Sequence, residues 1–197
     1  MDKTPHLSEN PPLDRRTQRT RQTLSQALIA LIQEKRYEAI TVQDICKRAN
    51  VGRSTFYAHY QDKDDLLASN FRQVMQSLDS KVEWQAGRFI FRVTPLFRHV
   101  QEHHYLYKAL VWGGGFDVLL RTGQQQWRGQ IEAHLARLLP RGRELSIPLE
   151  AVTTYLAGAL QTLLLWWLER KMPYPPERMD EMFQQLVMPG VNAALQV

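Results

Sequence analysis

One short stretch of the chain concentrates hydrogen-bonding side chains on a single helical face. Residues 53–60 read Arg-Ser-Thr-Phe-Tyr-Ala-His-Tyr. In a helix, Phe56 and Tyr60 fall at i and i+4 and anchor one face to a core. The other face then presents Arg53, Ser54, Thr55, Tyr57 and His59. A polar, partly aromatic face without acidic groups suits the phosphates and base edges of nucleic acid.

The preceding residues predict two helices that would hold this stretch in place. A first helix is expected over about residues 15–35, because one face carries Leu24, Leu28, Leu31 and Ile32. Thr41 with Asp44 three residues later is a capping-box variant and starts a short second helix. Residues 50–52, Asn-Val-Gly, form a turn, since Asn and Gly tolerate positive φ. Two short helices joined by a tight turn and docked on a longer one are a helix-turn-helix.

Charge is distributed unevenly along the chain. Residues 15–60 carry nine basic and three acidic side chains, a net charge of +6, whereas the whole chain has a net charge of +5. A basic N-terminal quarter on a near-neutral body indicates a nucleic acid or another acidic surface as partner. Clustered lysines and arginines can also form an ordinary solvated face, so charge alone leaves both interpretations open.

The rest of the chain is helical by its apolar spacing. Glycines at 113–115 and prolines at 173, 175 and 176 interrupt it, and no segment keeps a sustained period-2 alternation. We therefore predict an all-α fold with an N-terminal three-helix helix-turn-helix unit and a C-terminal helical bundle. The expected divisions are a flexible arm at 1–14, the helix-turn-helix at 15–62 and the bundle at 63–197.

Composition and motifs disfavour an enzyme. The 197 residues contain no glycine-rich phosphate loop and no Gly-x-Ser-x-Gly elbow. Cys46 is the single cysteine, which excludes an internal disulfide and a multi-cysteine metal site. Cys46 and His59 could form a nucleophile and base, but Cys46 is expected to pack inside, where thiols are inert. His99 and His103 have the i, i+4 spacing of a metal-binding pair, yet no third ligand is evident, so we predict no metal and no cofactor.

Nothing in the chain predicts a membrane or an exported location. The N-terminus has no apolar run behind a basic start, so no secretory signal is expected. The most apolar stretch, residues 151–168, contains several polar side chains and is shorter than the ~20 residues that cross a bilayer. We expect a soluble protein of the cytoplasm.

The residues from 40 to 60, with Asp62-Lys63 and Leu66-Leu67 behind them, resemble the DNA-binding domain of the TetR/AcrR transcriptional regulators. The resemblance covers residues 19–67 and keeps the turn, the aromatic pair and the trailing lysine in register. Further along, the segments at 96–100, 107–110 and 166–169 resemble the C-terminal domain of regulators of dihydroxyacetone-kinase operons.

The resemblance implies a homodimer that represses transcription from a palindromic operator until a small effector binds the C-terminal domain. It places Arg53 and Ser54 at base-reading positions. Arg53 is our choice for specificity, since arginine can grip guanine O6 and N7, although holding a phosphate is the alternative. The positions implied to contact the DNA backbone are Thr55, Tyr57, His59 and Lys63, with Val42 and Gln43 at the backbone or a base edge.

The C-terminal bundle is expected to form the dimer. Residues 149–168 are apolar nearly all round, so that helix needs a second cover. A partner subunit is the predicted cover, and the family likewise pairs its last two helices across a dimer; burial within one subunit is the alternative. The predicted interface comprises Leu156, Leu160, Leu163, Trp167, Met182, Phe183 and Leu186.

Aromatic side chains in the bundle are the candidates for an effector site, because bundle sensors bury ligands among such groups. The candidate lining is Phe97, His103, Tyr107, Trp112, Phe116, Trp127 and Trp166. Plain core packing is the alternative for all of them.

Two other functions stay compatible with the sequence. One is a transcriptional activator of the same family, since the position of the operator at the promoter decides the sign of regulation. The other is a ligand-binding helical protein that has lost DNA binding, against which the intact Arg53, Thr55, Tyr57 and Lys63 argue.

Overall fold

The computed structural model describes residues 12–78, 82–85, 88–138 and 147–195. Within them the helices are α1 (Pro12–Glu34), α2 (Val42–Ala49), α3 (Arg53–Tyr57), α4 (Lys63–Ser77), α5 (Thr94–Glu102), α6 (His104–Gly113), α7 (Phe116–Leu138), α8 (Leu149–Glu169), α9 (Pro176–Leu186) and α10 (Met188–Leu195). A 3-10 turn, Tyr37–Ala39, joins α1 to α2, and a hairpin of β1 (Val82–Gln85) and β2 (Arg88–Phe91) precedes α5. The predicted all-α class is confirmed apart from this hairpin. The expected arm lies outside the described residues, except for 12–14, which begin α1.

The N-terminal unit forms as the pattern of apolar residues predicts. The apolar face of α1 is buried, and α1 packs on α2 while α2 packs on α3. Asn50 makes the turn between α2 and α3 in the left-handed region, with φ of 53°. Helix α3 ends at Tyr57, three residues earlier than predicted, because the chain tightens there: the His59 amide donates to the Phe56 carbonyl.

A capping box fixes the start of α2. The Asp44 amide donates to Thr41 Oγ1 at 3.2 Å, and Asp44 Oδ2 accepts from the Thr41 amide at 2.9 Å. The same carboxylate oxygen accepts from Lys35 Nζ at 2.8 Å, which ties α2 to the end of α1. The hydrogen bond from Lys35, followed by those from Thr41, holds the pKa of the Asp44 carboxyl far below its usual range. The cap therefore persists over the whole neutral pH range.

Thr41→Ala is expected to lower the free energy of unfolding by about 1 kcal/mol, because the Asp44 amide loses its acceptor. Urea unfolding followed by circular dichroism measures the change. Thr20→Ala is the matched control, since Thr20 Oγ1 only bonds the Arg16 carbonyl within α1. Equal stability of the Thr41 variant and wild type would show that the cap contributes nothing.

The C-terminal bundle is built from helix pairs. Helix α4 packs against α7 and α7 against α8, while α5 packs against α9. Helix α10 covers β2. Because α4 begins directly after the helix-turn-helix and then enters the bundle, it is the covalent link between the two parts of the chain.

The hairpin depends on side chains that lie about a hundred residues away. Asn192 Oδ1 accepts from the Phe89 amide at 2.6 Å, and Asn192 Nδ2 donates to the Phe89 carbonyl at 3.0 Å. Gln184 Nε2 donates to the Phe91 carbonyl at 2.7 Å. These amides satisfy the outer edge of β2, where a two-stranded sheet would otherwise leave backbone groups unpaired. A local sequence pattern therefore could not predict this hairpin.

Helix α8 is buried on one face only, which corrects the predicted dimer contacts. Leu156, Leu160, Trp167 and Phe183 are at most 1% exposed within the single chain, so they fill its own core and offer a partner no surface. Leu163 and Met182 are half-buried, and Leu186 is 71% exposed. The apolar stripe chosen from the sequence was the inward face of the helix.

Helix α8 has about the predicted length, but it exceeds the apolar stretch 151–168 that was judged too short to cross a bilayer. At 21 residues it is long and apolar enough to cross a membrane, the only such helix in the described ranges. Its buried side chains, however, belong to the continuous core of the chain, and this packing accounts for its apolar composition.

Candidate nucleic-acid interface

The two faces of α3 separate as predicted. Phe56 is fully buried and Tyr60 is 5% exposed, so this pair anchors the segment. Tyr57 is 57% exposed, with its ring set edge-on to that of Phe56. Arg53 and Ser54 are exposed, and Thr55 and His59 are half-buried. The outer face can therefore offer an arginine, hydroxyls and an imidazole to a groove of DNA.

A side-chain hydrogen bond connects the two short helices at their outer surface. Arg53 Nη2 donates to Gln43 Oε1 at 3.0 Å, which joins the start of α3 to the first turn of α2. A guanidinium carries five N–H groups, and this bond uses one of them. Gln43 thus orients Arg53 while both remain exposed, and half-buried Val42 lies beside them at the start of α2.

Further cations extend this surface. Arg15, Arg16 and Arg19 are exposed along α1, and Lys47 is exposed on α2. Arg48 is bound to Glu34 by a 2.5 Å contact, so its charge is largely compensated. Exposed cations of this kind supply the sequence-independent, salt-dependent part of DNA affinity.

The thiol of Cys46 is unsuited to nucleophilic chemistry. Cys46 is 5% exposed on the inner face of α2. Burial raises the pKa of the thiol, an effect that nearby Arg53 opposes only in part. The alternative of a Cys46–His59 nucleophile and base therefore finds no support in the structure.

Lys63 serves a structural purpose that its predicted role did not include. Lys63 Nζ donates to the carbonyl oxygens of Tyr37 and Glu38, at 2.9 and 3.2 Å. It also lies 4.5 Å from the centre of the Tyr37 ring, a cation–π contact. Two of the three ammonium N–H groups are thus committed to the 3-10 turn, which leaves one for a phosphate.

Tyr37 is the centre of this junction. Its hydroxyl donates to Asp64 Oδ1 at 2.5 Å, and its side chain is only 3% exposed. Burial, together with this hydrogen bond, raises the pKa of Tyr37 well above its usual range, so the phenol stays protonated and remains a donor. We call Tyr37, Lys63, Asp64 and the glycines at 113–115 the Tyr37 joint.

The glycines bring the end of α6 against the 3-10 turn. A Cβ at Gly113 would lie 3.0 Å from the Tyr37 amide nitrogen, and one at Gly115 would lie 2.9 Å from Tyr37 Cγ. Gly114 has φ of +84° and ends the helix in a left-handed conformation. The three glycines are therefore needed for close approach between the bundle and the helix-turn-helix unit.

Tyr37→Phe is expected to lower the free energy of unfolding by about 1–2 kcal/mol, since Asp64 loses a hydrogen bond in a largely buried junction. Chemical unfolding measures the loss. The control is Tyr57→Phe, the same change on an exposed tyrosine, for which no loss of stability is expected. If both variants unfolded like wild type, the hydroxyl of Tyr37 would have no part in holding the joint.

The predicted effector residues do not converge on one site. Phe97 is fully buried and packs edge-on against Trp167 with ring centres 5.1 Å apart, so it belongs to the core. Trp112 and Trp166 are 58% and 37% exposed and lie on the outer surface. Phe116 and Trp127 line only a small void of about 20 Å³. For these five residues the aromatic pattern did not distinguish a pocket from core or surface.

His103 and Tyr107, by contrast, line a cavity of about 430 Å³. Its walls come from α1, α4, the α5–α6 corner and Leu119 of α7. His99, also in its lining, lies with its ring centre 4.5 Å from that of His103. Burial, and then the charge of His103, lowers the pKa of His99, so its imidazole is neutral at pH 7. In the described parts of the chain no three metal-ligating side chains come together.

Comparison with known proteins identifies the chain. Residues 24–69 match the model of the bacterial regulatory proteins of the tetR family, and residues 92–189 match a transcriptional-regulator C-terminal region. The chain belongs to the TetR family. The sequence-based identification of the family is confirmed.

Two relatives match parts of this regulator. YxbF of Bacillus subtilis, an uncharacterized helix-turn-helix transcriptional regulator, is 45% identical over 56 residues, which are 28% of this chain and 15% of YxbF. DhaS of Lactococcus lactis, a transcriptional activator of the dhaKLM operon, is 25% identical over 95 residues, 46% of this chain and 48% of DhaS. The chain therefore spans less than half of either relative.

Solved structures share the fold. A TetR regulator from Streptococcus agalactiae aligns over 89% of this chain and 97% of its own with a TM-score of 0.62 at 24% identity. Lin0861 of Listeria innocua aligns over 91% and 94% with a TM-score of 0.63 at 18% identity. The dihydroxyacetone kinase operon activator DhaS aligns over 89% and 97% with a TM-score of 0.56 at 18% identity.

Proposed function

We propose that this regulator is a cytoplasmic, ligand-responsive homodimer that reads a palindromic operator through α3. The observation that carries the proposal is the exposed face of α3, on which Gln43 orients Arg53 by a 3.0 Å hydrogen bond beside exposed Tyr57. A dimer would set two such faces in major grooves about 34–36 Å apart, one turn of DNA. Residues 15–62 would bind the DNA, and residues 63–197 would bind the effector and the partner.

Each side chain of the interface receives a role in this proposal. Arg53 and Ser54 read base edges, and Arg53 discriminates guanine by a bidentate contact. Thr55, Tyr57 and His59 contact phosphates and sugars beside the groove. Lys63 adds a phosphate contact through its remaining N–H, while the exposed arginines of α1 add affinity for any sequence.

The dimer interface in this proposal is the outer face of α8, opposite the stripe first predicted. At i, i+3, i+7 and i+11 that face carries Tyr155, Gly158, Thr162 and Trp166, and Tyr155 is 54% exposed. A Cβ at Gly158 would meet nothing within 4 Å, so the helix surface is open there to close approach. Leu186 of α9 is also exposed, at 71%. Large exposed apolar groups on a helix face mark an interaction surface.

Repression is the proposed mode of action, with an operator that overlaps the promoter. The second candidate is activation, which the name of one relative favours, because DhaS is described as an operon activator. Both modes use the same contacts to DNA. A reporter gene behind the upstream region, compared with and without the regulator, separates them by the direction of the change.

Arg53→Ala is expected to remove preference at one base pair of each half-site, worth about 1–3 kcal/mol there, because the guanidinium no longer reaches the base edge. Fluorescence anisotropy with the DNA upstream of the gene for this chain, and with fragments carrying single base-pair changes, measures it. Tyr57→Phe is the matched variant and should weaken binding to all fragments alike. Uniform weakening by Arg53→Ala instead would assign Arg53 to a phosphate.

Thr162→Arg is expected to convert the dimer to a monomer, since residues near a two-fold axis meet their own copies and would bring two cations together. Light scattering after gel filtration measures the mass, and circular dichroism checks the fold. Gln125→Arg, an equal change on the exposed surface of α7, should stay dimeric. A folded Thr162→Arg variant that remains a dimer would place the interface elsewhere.

A further inference from the structure

The cavity of about 430 Å³ lies between the DNA-binding unit and the bundle, and both parts of the chain form its walls. Helix α1, which carries the helix-turn-helix, contributes Ile29, Ile32 and Gln33. Helix α4 contributes Asn70 and Val74 among others, and the start of α6 closes the opposite side. A molecule held there would touch both parts at once.

The lining indicates which molecules fit. Most of the wall is aliphatic and aromatic, and it includes neither lysine nor arginine. Glu102 is its only carboxylate, and His99 is neutral at pH 7 because burial lowers its pKa. An anionic ligand would therefore lose its hydration and meet no cation in return. An uncharged, largely apolar molecule suits these walls.

One polar group in the wall lacks a partner. Asn70 Nδ2 is buried and has no hydrogen-bond partner among the residues described. An unsatisfied buried donor is unfavourable, but Nδ2 has almost no accessible surface, so the Asn70 side chain must turn toward the cavity before a ligand oxygen can accept from it. The amide thus favours a ligand with a carbonyl, ether or hydroxyl oxygen.

Filling this cavity would act directly on the DNA-binding unit. Helix α1 packs on α2, so a displacement of its inner face moves the helix-turn-helix. Helix α6 begins at the cavity and ends at Gly113, against the Tyr37 amide. The same helix therefore connects the cavity to the Tyr37 joint.

We propose that the cavity between α1, α4 and α6 binds an uncharged, mainly apolar molecule with one hydrogen-bond acceptor for Asn70, and that this molecule separates α1 from the bundle. The inference rests on the proposed ligand response and specifies its site and chemistry. The effector contacts α1 directly and increases the distance between the helix-turn-helix unit and the bundle.

Nile red, an uncharged aromatic dye with a carbonyl acceptor, is the probe for the test. We expect saturable binding of one dye per chain, followed by fluorescence and equilibrium dialysis. Val74→Trp fills the cavity and should weaken binding at least tenfold. Val111→Trp is the matched control, because Val111 is equally half-buried in the core but absent from the cavity wall, and it should bind like wild type. Leu106→Trp is a second filling variant should Val74→Trp fail to fold.

Asn70→Leu tests the acceptor. It should weaken Nile red about tenfold and leave pyrene, a hydrocarbon without an acceptor, unaffected. The proposed site would be wrong if both filling variants bound Nile red like wild type. It would also be wrong if Val111→Trp lost as much Nile red affinity as the filling variants. Equal effects of Asn70→Leu on the two dyes would overturn the assigned hydrogen bond.

DNA binding by the dye-free protein is measured separately, so a failure of the cavity inference can be distinguished from a failure of the proposed function. If the protein binds its upstream DNA but no filling variant affects the dye, the cavity inference is wrong and the proposed function stands. If the dye occupies the cavity but the protein binds no DNA, the proposed function is wrong. Release of DNA by Nile red in wild type, and not in Val74→Trp, is the result expected when both are right.

Discussion

The close contact at Tyr37 fixes how the DNA-binding unit sits on the bundle. Three elements meet on this one residue: the 3-10 turn, the start of α4 and the end of α6. The Lys63 ammonium satisfies carbonyls that the short turn leaves open, and the phenol reaches across to Asp64. Because the ring is buried, water cannot easily replace either contact. The direction in which α3 points from the bundle follows from this geometry.

Helix α6 lines the cavity with residues 105–110 and reaches the Tyr37 joint at Gly113, so in the proposed function it would connect ligand to DNA. The ten residues of α6 span about 15 Å, and a ligand that displaced the helix at Tyr105 or Tyr107 would carry that displacement toward Gly113. At Gly113 the backbone of α6 packs directly against the backbone at Tyr37. Because no side chain lies between them, a small displacement of α6 would change this contact. A coupling of ~1–3 kcal/mol between the two ends is enough for a 5–150-fold change in DNA affinity.

Helix α8 has a different constraint, since it supplies core on one side and, in the proposed dimer, the association surface on the other. Its inward face packs with α7 and the aromatic core, where Trp167 Nε1 donates to the Tyr174 carbonyl at 2.8 Å. Its outward face keeps Tyr155 and Trp166 exposed, the latter near-parallel to Tyr174. One apolar helix can thus serve both the folding of the chain and the proposed association of two chains.

The sequence by itself determined the helix-turn-helix, because its signals are local: the Thr41–Asp44 cap, the turn at Asn50 and the Phe56–Tyr60 anchor each act within four residues or fewer. The tertiary structure decided the hairpin, since Asn192 and Gln184 hold it from about a hundred residues away. It also decided which stripe of α8 faces the core and which aromatic groups surround a cavity. The apolar spacing of α8 marks the face that must be covered, but only packing against neighbouring helices decides that the same chain, and not a partner, covers it.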